Sequence, residues 1–296
     1  MTVVFFGTPE FALPSLEVLH SSRHRLVGVT SAPPKPQGRG RTVGQPPVAR
    51  TAMKLGLPVL QPENLRNPGF LTALRDWKAD VFAVIAFRIL PEEVYNLPRF
   101  GAVNLHGSLL PAYRGAAPIQ WALWNGERET GLTTFRIERQ VDTGNILKQC
   151  RVEIADSDDA GSLSEKMAKA GASLLLETLD ELEAGRLTTT PQDGSKATPA
   201  PKITKEHCRI DWQHSAASIR NQVRALSPEP GASFVLNDQT IKIYRCEVSE
   251  AQSELQPGEV LIGEQTLTIG SGRGASPLRD LAPAATGLPL ASLAPI

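Results

Sequence analysis

Residues 101–111 have the sequence GAVNLHGSLLP. It opens with a short apolar run, Ala102 to Leu105, which is typical of a β-strand, and the run stops at Gly107. Asn104 and His106 are two positions apart on this predicted strand, so their side chains project from the same face. Both polar groups therefore lie near the carboxyl end of the strand, where open α/β sheets form their ligand crevice.

Three further runs of the same kind precede this strand, at Val3 to Phe6, Leu26 to Thr30 and Val81 to Ala86. They alternate with longer stretches of helical character, which is the pattern of βαβ units. We therefore predict an α/β fold built on a doubly wound, Rossmann-like parallel sheet. A later stretch, Ala160 to Ala184, carries apolar residues at helical spacing and stops at Gly185, which predicts a long helix with a buried stripe.

The chain has 296 residues, a length that suits two domains better than one. From Arg186 to Lys205 the sequence is polar and rich in Thr, Pro and Lys, so it cannot bury enough apolar surface to fold alone. We predict a first domain over residues 1–189, a linker over 190–205 and a second domain over 206–296.

The second domain is predicted to be a small β structure. Its segment VLNDQTIKIY is typical of two strands joined at Asn237 and Asp238. The tail, atypical from about residue 271, ends in GASPLRDLAPAATGLPLASLAPI (274–296), which has no period of 2 or 3.6. We expect no regular element in it.

Composition excludes several classes of protein. The 31 basic and 31 acidic residues cancel, so net charge alone does not decide for or against a polyanionic partner. Cys150, Cys208 and Cys246 are far apart and show no CxxC spacing, which indicates neither a disulfide framework nor a zinc site. The opening MTVVFFGTPEF is typical of a first strand and not of a signal peptide, and no apolar run approaches about 18 residues. We expect a cytoplasmic protein without membrane segments.

A bare N-x-H pair is more often a turn asparagine and a packed histidine than a catalytic pair, and the flanking sequence decides the matter. Four segments carry a resemblance to a known family: FFGTPEFALPSL (5–16), GRGR (38–41), NLHGSLLPAYRGAAPIQ (104–120) and VDTGNIL (141–147). Through them the chain resembles the methionyl-tRNA formyltransferases over residues 1 to about 248.

The combination N-x-H-x-S-L-L-P, followed roughly thirty residues later by D-T-G, is specific to enzymes that transfer a formyl group from 10-formyltetrahydrofolate. The resemblance implies that Asn104, His106 and Asp142 are catalytic. Formyl transfer to an amine passes through a tetrahedral intermediate whose oxygen becomes negative, so donors such as Asn and His suit it. A carboxylate beside the imidazole favours its protonated form, fixes its orientation and can take the amine proton, directly or through water.

The resemblance also implies a folate site. Its contacts with the co-substrate would come from the SLLP loop, that is, Ser108, Leu109, Leu110 and Pro111. The pterin pocket would use the segment AFRILP (86–91), with Phe87 and Leu90 as contacts. Phe87 and Arg88 stand where the family more usually has Tyr and Gly. From the residues alone, this segment is equally typical of packing at a strand-to-helix turn.

A basic segment is the clearest electrostatic feature of the sequence. Between Val18 and Pro62 there are seven Lys or Arg residues and no acidic residue, and Lys35, Arg39 and Arg41 lie in one Pro/Gly-rich loop. Such a loop is either a solvated surface loop or a source of phosphate contacts. The resemblance favours the second reading, with these three residues contacting tRNA.

No dinucleotide, phosphate-loop or metal pattern accompanies these motifs. GRGRTVG has glycines spaced G-x-G-x-x-x-G, which is not the dinucleotide fingerprint, and no GxxxxGK[ST] occurs. The remaining histidines have no metal-ligand spacing, so we predict no metal.

The second domain fits an RNA partner less well. Residues 205–296 carry 8 basic and 10 acidic residues, a net charge of −2. The resemblance implies a small OB-like barrel that helps to hold tRNA, but its usual final strands are replaced by the Ala/Pro/Leu tail.

We therefore expect a monomeric enzyme that formylates methionyl initiator tRNA from 10-formyltetrahydrofolate. One alternative keeps this chemistry on a small amine, such as glycinamide ribonucleotide or a nucleotide-linked amino sugar. A second alternative is a folate- or RNA-binding module without activity.

Overall fold

The computed structural model describes residues 1–37, 42–236, 238–248, 255–262, 267–272 and 278–279. The chain forms two compact units. The first contains residues 1–115, 131–152 and 164–199, and the second contains residues 116–130, 153–163 and those from 200 onward. The predicted boundaries, 1–189, 190–205 and 206–296, stay a prediction.

The strands are β1 Thr2–Gly7, β2 Arg25–Thr30, β3 Lys35–Gln37, β4 Thr42–Gly44, β5 Val59–Leu60, β6 Val81–Ile85, β7 Ala102–His106, β8 Arg114–Gly115, β9 Glu129–Arg136, β10 Ile146–Glu153, β11 Pro199–Ala200, β12 Ala232–Leu236, β13 Gln239–Ile243, β14 Glu247–Val248, β15 Val260–Ile262, β16 Leu267–Ile269 and β17 Leu278–Arg279. The α-helices are α1 Leu13–His20, α2 Pro47–Lys54, α3 Pro68–Asp76, α4 Glu92–Tyr95, α5 Pro118–Trp124, α6 Ala160–Glu183 and α7 Ala216–Leu226. Short 3-10 helices lie at Glu10–Ala12 and Gly194–Lys196.

The first unit is organised by a seven-stranded sheet in the order β10-β9-β7-β6-β1-β2-β5. The pairs from β7 to β5 are parallel, whereas β9 runs antiparallel to β7. The predicted α/β class with a mainly parallel, Rossmann-like sheet is confirmed. Each of the four predicted strand runs lies in one of its strands, except that Ala86 is exposed and follows the last residue of β6. β1 pairs with β2 on one side and with β6 on the other, so the order in which strands are added to the sheet reverses at β1. Such a reversal opens a crevice at the carboxyl ends of the strands.

The central strands are apolar throughout because the sheet is covered on both faces. Residues 3–6 of β1 and 81–85 of β6 are all buried. The predicted long helix is confirmed as α6. It approaches β7 closely at Gly171, where a Cβ atom would come within 2.7 Å of Leu105 Cδ2. The hydroxyls of Thr178 on α6 and Thr134 on β9 also form a 2.8 Å hydrogen bond.

The second unit has its own core around α7. Ile219 and Val223 of this helix pack with Phe234, Ile241 and Ile269 from the surrounding strands. Strands β12 and β13 form an antiparallel hairpin, which confirms the predicted strand pair. Asn237 of its predicted turn lies outside the described residues. The predicted small β structure is thus present.

A four-stranded sheet in the order β14-β17-β16-β15 completes this unit. Leu278 of β17 pairs with Val248 and with Ile269. The expectation that the tail forms no regular element is therefore wrong for residues 278–279, because cross-strand partners impose a strand that two residues do not encode by periodicity. Residues 280–296 lie outside the described residues.

Candidate active site

Asn104 and His106 occupy the carboxyl end of β7 and lie on one face, as their spacing predicts. The antiparallel neighbour β9 places Phe135 opposite Asn104 and Thr133 opposite His106. The His106 ring is buried and meets Phe135 edge-on, with the ring centroids 6.5 Å apart. Asn104 is half-buried, and no described residue forms a hydrogen bond with its side chain. Its amide is thus free to bind a ligand.

The two ring nitrogens of His106 have different partners. Nε2 lies 2.9 Å from the carbonyl oxygen of Tyr113. Since a carbonyl oxygen only accepts, Nε2 carries a proton and donates it. Nδ1 lies 4.0 Å from Oδ2 of Asp142, which is too long for a hydrogen bond but close enough for a charge interaction. The imidazole is therefore oriented by a backbone carbonyl and faces a carboxylate, and Nδ1 is the nitrogen left for a substrate.

Asp142 is held by its own loop. Its Oδ2 accepts a 2.9 Å hydrogen bond from the backbone nitrogen of Gly115. Its φ of 55°, like the 59° of Tyr113, lies in the left-handed region, which costs non-glycine residues about 1–3 kcal/mol. Both strained residues lie beside His106, Tyr113 through its carbonyl oxygen and Asp142 through its carboxylate. The surrounding contacts therefore hold the two backbones in place.

Glycine is required in the D-T-G motif by close contact with backbone. A Cβ atom at Gly144 would overlap the carbonyl oxygen of Arg136, the last residue of β9. The backbone nitrogen of Arg136 also donates to the carbonyl oxygen of Asn145 at 3.1 Å. The loop that carries Asp142 is thus pinned against the end of β9.

The SLLP loop is fixed from within by one threonine. The hydroxyl of Thr133 donates to the Ser108 carbonyl at 2.7 Å and accepts from the Leu110 backbone nitrogen at 3.0 Å. Gln149 Nε2 donates both to this hydroxyl and to the Leu110 carbonyl, each at 2.9 Å. Ser108 and Leu110 are buried, whereas Leu109 and Pro111 are half-buried. The structure thus uses the first pair to shape the loop and leaves the second pair partly accessible.

The predicted pterin segment follows β6. Phe87 is half-buried and packs edge-on against Phe6, with the ring centroids 5.4 Å apart, while Leu90 is buried in the core. Ile89 between them is 74% exposed. Arg88 donates to the carbonyl oxygens of Pro62 and Glu63 at 2.7 and 2.9 Å, and burial lowers its pKa. The unusual arginine therefore ties two loops together.

The basic loop is described only in part. Lys35 is exposed on β3, which pairs antiparallel with β4. Arg39 and Arg41 lie outside the described residues. The three predicted tRNA contacts stay predictions.

The residues predicted from the sequence do not include those that hold the site together, above all Thr133, Gln149 and the backbones of Tyr113 and Gly115. The motif NLHGSLLPAYRGAAPIQ contains the last two, so its length beyond SLLP was the available signal. Thr133 and Gln149 stand in strands without any distinctive local pattern.

One group of possible metal ligands occurs among the described residues, His24 with Asp180 and Glu183, whose ligand atoms lie within 4.8 Å of one another. It lies at the amino end of β2, at the sheet edge opposite His106. Arg23 already forms ion pairs with Asp180 at 2.7 Å and with Glu183 at 2.8 Å. The carboxylates therefore have cationic partners, and the prediction of no metal stays a prediction. Among the described residues, no helix combines the length and the apolar character that a membrane span requires.

Comparison with known proteins agrees with this arrangement. A family model described as "Formyl transferase" matches residues 1–179, and one described as "Formyl transferase, C-terminal domain" matches residues 202–286. The first match covers more than half of the chain, so the chain is a member of the formyl transferases.

The relatives specify the family further. A methionyl-tRNA formyltransferase of Synechococcus sp. (strain JA-2-3B'a(2-13)) is 48% identical over 278 residues, which are 93% of this chain and 85% of the relative. One from Caldanaerobacter subterraneus subsp. tengcongensis is 44% identical over 277 residues, with 93% and 90% covered. One from Bacteroides fragilis (strain YCH46) is 43% identical over 270 residues, with 88% and 83% covered. The chain belongs to the methionyl-tRNA formyltransferase family, which confirms the resemblance.

Solved structures share the fold. A sugar 3N-formyl transferase, solved in the presence of dTDP and 5-N-formyl-THF, has a TM-score of 0.72 at 19% identity and covers 95% of this chain and 98% of its own. An N-formyltransferase from Helicobacter canadensis, in complex with folinic acid and dTDP-3-aminofucose, has a TM-score of 0.70 at 21% identity, with 94% and 98% covered. At these identities the likeness shows the fold alone.

Proposed function

We propose that this chain is an enzyme that transfers the formyl group of 10-formyltetrahydrofolate to the amino group of methionyl-tRNA. The acceptor is the methionine carried by initiator tRNA, which begins translation. The observation that carries the proposal is the cluster at the end of β7, where the free amide of Asn104 stands on one face with His106, and Asp142 lies 4.0 Å from the imidazole. The relatives at 43% to 48% identity, all named methionyl-tRNA formyltransferase, identify the acceptor.

The proposed catalytic residues divide the reaction between them. The neutral amine of the methionyl group attacks the formyl carbon, and the carbonyl oxygen becomes an oxyanion. This oxyanion accepts hydrogen bonds from Asn104 and from Nδ1–H of a doubly protonated His106, whose Nε2–H donates to the Tyr113 carbonyl. Asp142 takes the proton that the amine loses, directly or through water. The oxyanion then re-forms the carbonyl as the bond between the formyl carbon and folate N10 breaks. Asp142 passes the proton that it accepted to N10, directly or through water, and formyl-methionyl-tRNA and tetrahydrofolate are released.

The folate is proposed to bind along the segments 86–91 and 108–111. Phe87, Leu109 and Pro111 are half-buried and offer apolar contacts to its rings, as ligand sites commonly do. The buried Leu90, Ser108 and Leu110 contribute by fixing the shape of the two segments. Arg88 secures the first segment to the carbonyl oxygens of Pro62 and Glu63.

The RNA is proposed to contact Lys35, Arg39 and Arg41 through its phosphates. The second domain, proposed over residues 206–296 after a linker at 190–205, would form an OB-like barrel that supports the acceptor end. We also propose that the protein is a monomer. A cytoplasmic location is proposed because the three cysteines are unpaired, as is usual in a reducing compartment.

The test is transfer of labelled formyl from 10-formyltetrahydrofolate to methionyl initiator tRNA. His106→Ala and Asn104→Ala are each expected to lower kcat by about 10²–10³-fold, since each removes one oxyanion donor. The matched control is His20→Ala, an exposed histidine at the end of α1, which should keep the wild-type rate. Wild-type transfer to a nucleotide-linked amino sugar but not to the charged tRNA would replace the proposal with a small-amine acceptor. Folate binding with no transfer at all would point to a binding module.

A further inference from the structure

The side chain of Gln192 joins the two loops that position the catalytic pair. Its Nε2 donates to the carbonyl oxygen of Asp142 at 3.0 Å and to that of Gly144 at 2.8 Å. Its Oε1 accepts from the Arg114 guanidinium, from Nε at 3.1 Å and from a terminal nitrogen at 2.7 Å. Both amide hydrogens and both lone pairs of the oxygen are therefore used.

These contacts reach both members of the His106 and Asp142 pair. Arg114 stands between Tyr113, whose carbonyl accepts from His106 Nε2, and Gly115, whose backbone nitrogen donates to the Asp142 carboxylate. The side chain of Gln192 accepts hydrogen bonds from Arg114 and donates hydrogen bonds to the backbone of the Asp142 loop. The amide of Gln192 thus helps to set the separation of imidazole and carboxylate, although it touches neither group.

The segment around Gln192 is itself anchored at both ends. Thr190 exchanges two backbone hydrogen bonds with Ile146, at 2.8 and 2.9 Å, just after the Asp142 loop. Thr198 accepts from the Tyr113 backbone nitrogen through its hydroxyl and from the Arg114 nitrogen through its carbonyl, both at 2.8 Å. Residues 190–198 therefore form a strap across the two loops, with Gln192 as its side-chain contact.

We propose that Gln192 is a positioning residue, which holds Asp142 at the correct distance from His106 for formyl transfer. The inference rests on the proposed function. Asp142 has a left-handed backbone, and its carboxylate does not form a direct hydrogen bond with the imidazole, so its position needs support from outside the pair. Only an amide supplies this support, because it donates to two carbonyls and accepts from a guanidinium at once. A displacement of about 1 Å at a catalytic group can cost about 10²-fold in rate.

The first part of the test compares kinetic constants of the full-length enzyme. Gln192→Leu removes all four hydrogen bonds, and Gln192→Glu keeps the contact with Arg114 but loses both donors. Each variant is expected to lower kcat about 10- to 100-fold, with KM for 10-formyltetrahydrofolate and for methionyl-tRNA within about twofold of wild type. Wild-type kcat in the folded Gln192→Glu variant would overturn the inference.

The matched control is Gln222→Leu. Gln222 lies in the second unit, is buried, and likewise donates through Nε2 to two backbone carbonyls, of His207 at 2.9 Å and of Arg209 at 3.0 Å. Its loss removes the same two donors and is expected to lower the unfolding midpoint while kcat stays within about twofold of wild type. An equal loss of kcat in both leucine variants would mean that general destabilisation, not positioning, explains the effect.

The second part is a double-mutant cycle with Asp142→Asn. If Gln192 acts through Asp142, Gln192→Glu should lower kcat less than about threefold in the Asp142→Asn enzyme. In the wild-type background the same substitution should lower kcat 10-fold or more. Additive losses would assign Gln192 a structural role and overturn the inference. If the wild type does not formylate methionyl-tRNA, the proposed function is wrong. The same double-mutant cycle, measured with the amine that the enzyme does formylate, would still test the role of Gln192.

Discussion

Replacing Thr133 by valine should damage the folate loop while leaving the shape of the core almost unchanged. The hydroxyl of Thr133 is fully buried and serves three partners, the Ser108 carbonyl, the Leu110 backbone nitrogen and Gln149 Nε2, at 2.7 to 3.0 Å. Valine has nearly the same volume but no hydroxyl. The substitution therefore isolates the hydrogen bonds from the packing.

The expected cost follows from the groups left without partners. Ser108 and Leu110 are both buried, so one carbonyl and one N–H lose their hydrogen bonds away from water. Each such group costs about 1–3 kcal/mol, and Gln149 keeps its second bond to the Leu110 carbonyl. The free energy of unfolding should fall by about 2–6 kcal/mol. If the loop shifts in the free enzyme and so relieves about 1 kcal/mol of this loss, folate binding must reverse the shift. Folate affinity then falls about fivefold.

Urea unfolding and titration with 5-formyltetrahydrofolate measure the two effects separately. The control is Thr134→Val, also fully buried, whose hydroxyl accepts from the Lys148 backbone nitrogen at 3.1 Å and pairs with Thr178 on α6 at 2.8 Å. It should lower stability by a similar amount without weakening folate binding. If Thr133→Val lost the stability but bound folate as tightly as the wild type, our assignment of residues 108–111 to the folate site would be wrong.

Three further predictions concern other parts of the molecule. Gly144→Ala should lower kcat at least 10-fold, measured by formyl transfer, because its Cβ would overlap the Arg136 carbonyl and displace the Asp142 loop. Burial lowers the pKa of His24, so the unfolded chain binds its proton more readily. The free energy of unfolding should therefore fall as pH drops below about 6.5. In urea titrations between pH 7 and 5, the His24→Gln variant should lose less stability than the wild type. Burial raises the pKa of the Cys246 thiol to about 12, so iodoacetamide at pH 8 should label it only after unfolding, as peptide mass spectrometry would show.

Much of the first unit follows from local sequence. The runs at Val3 to Phe6 and Val81 to Ile85 are apolar at every position because both faces of a central parallel strand are buried, and a short window of sequence is enough to show it. The antiparallel edge formed by β9 and β10 is less evident, because its strands mix apolar and polar positions and depend on β7 as a neighbour.

Local sequence alone predicts the strand that carries Asn104 and His106, the face that they share and, through its motifs, the family. The groups that hold His106 and Asp142 in place become evident only in the fold: the Tyr113 carbonyl, the Gly115 backbone nitrogen and Gln192, which contacts the Asp142 loop from fifty positions further along the chain. Gln192 stands in a polar segment that cannot fold alone, and its composition therefore suggested only a linker. Periodicity reflects the burial of neighbouring residues, whereas contacts between distant loops form only after the sheet has brought their ends together.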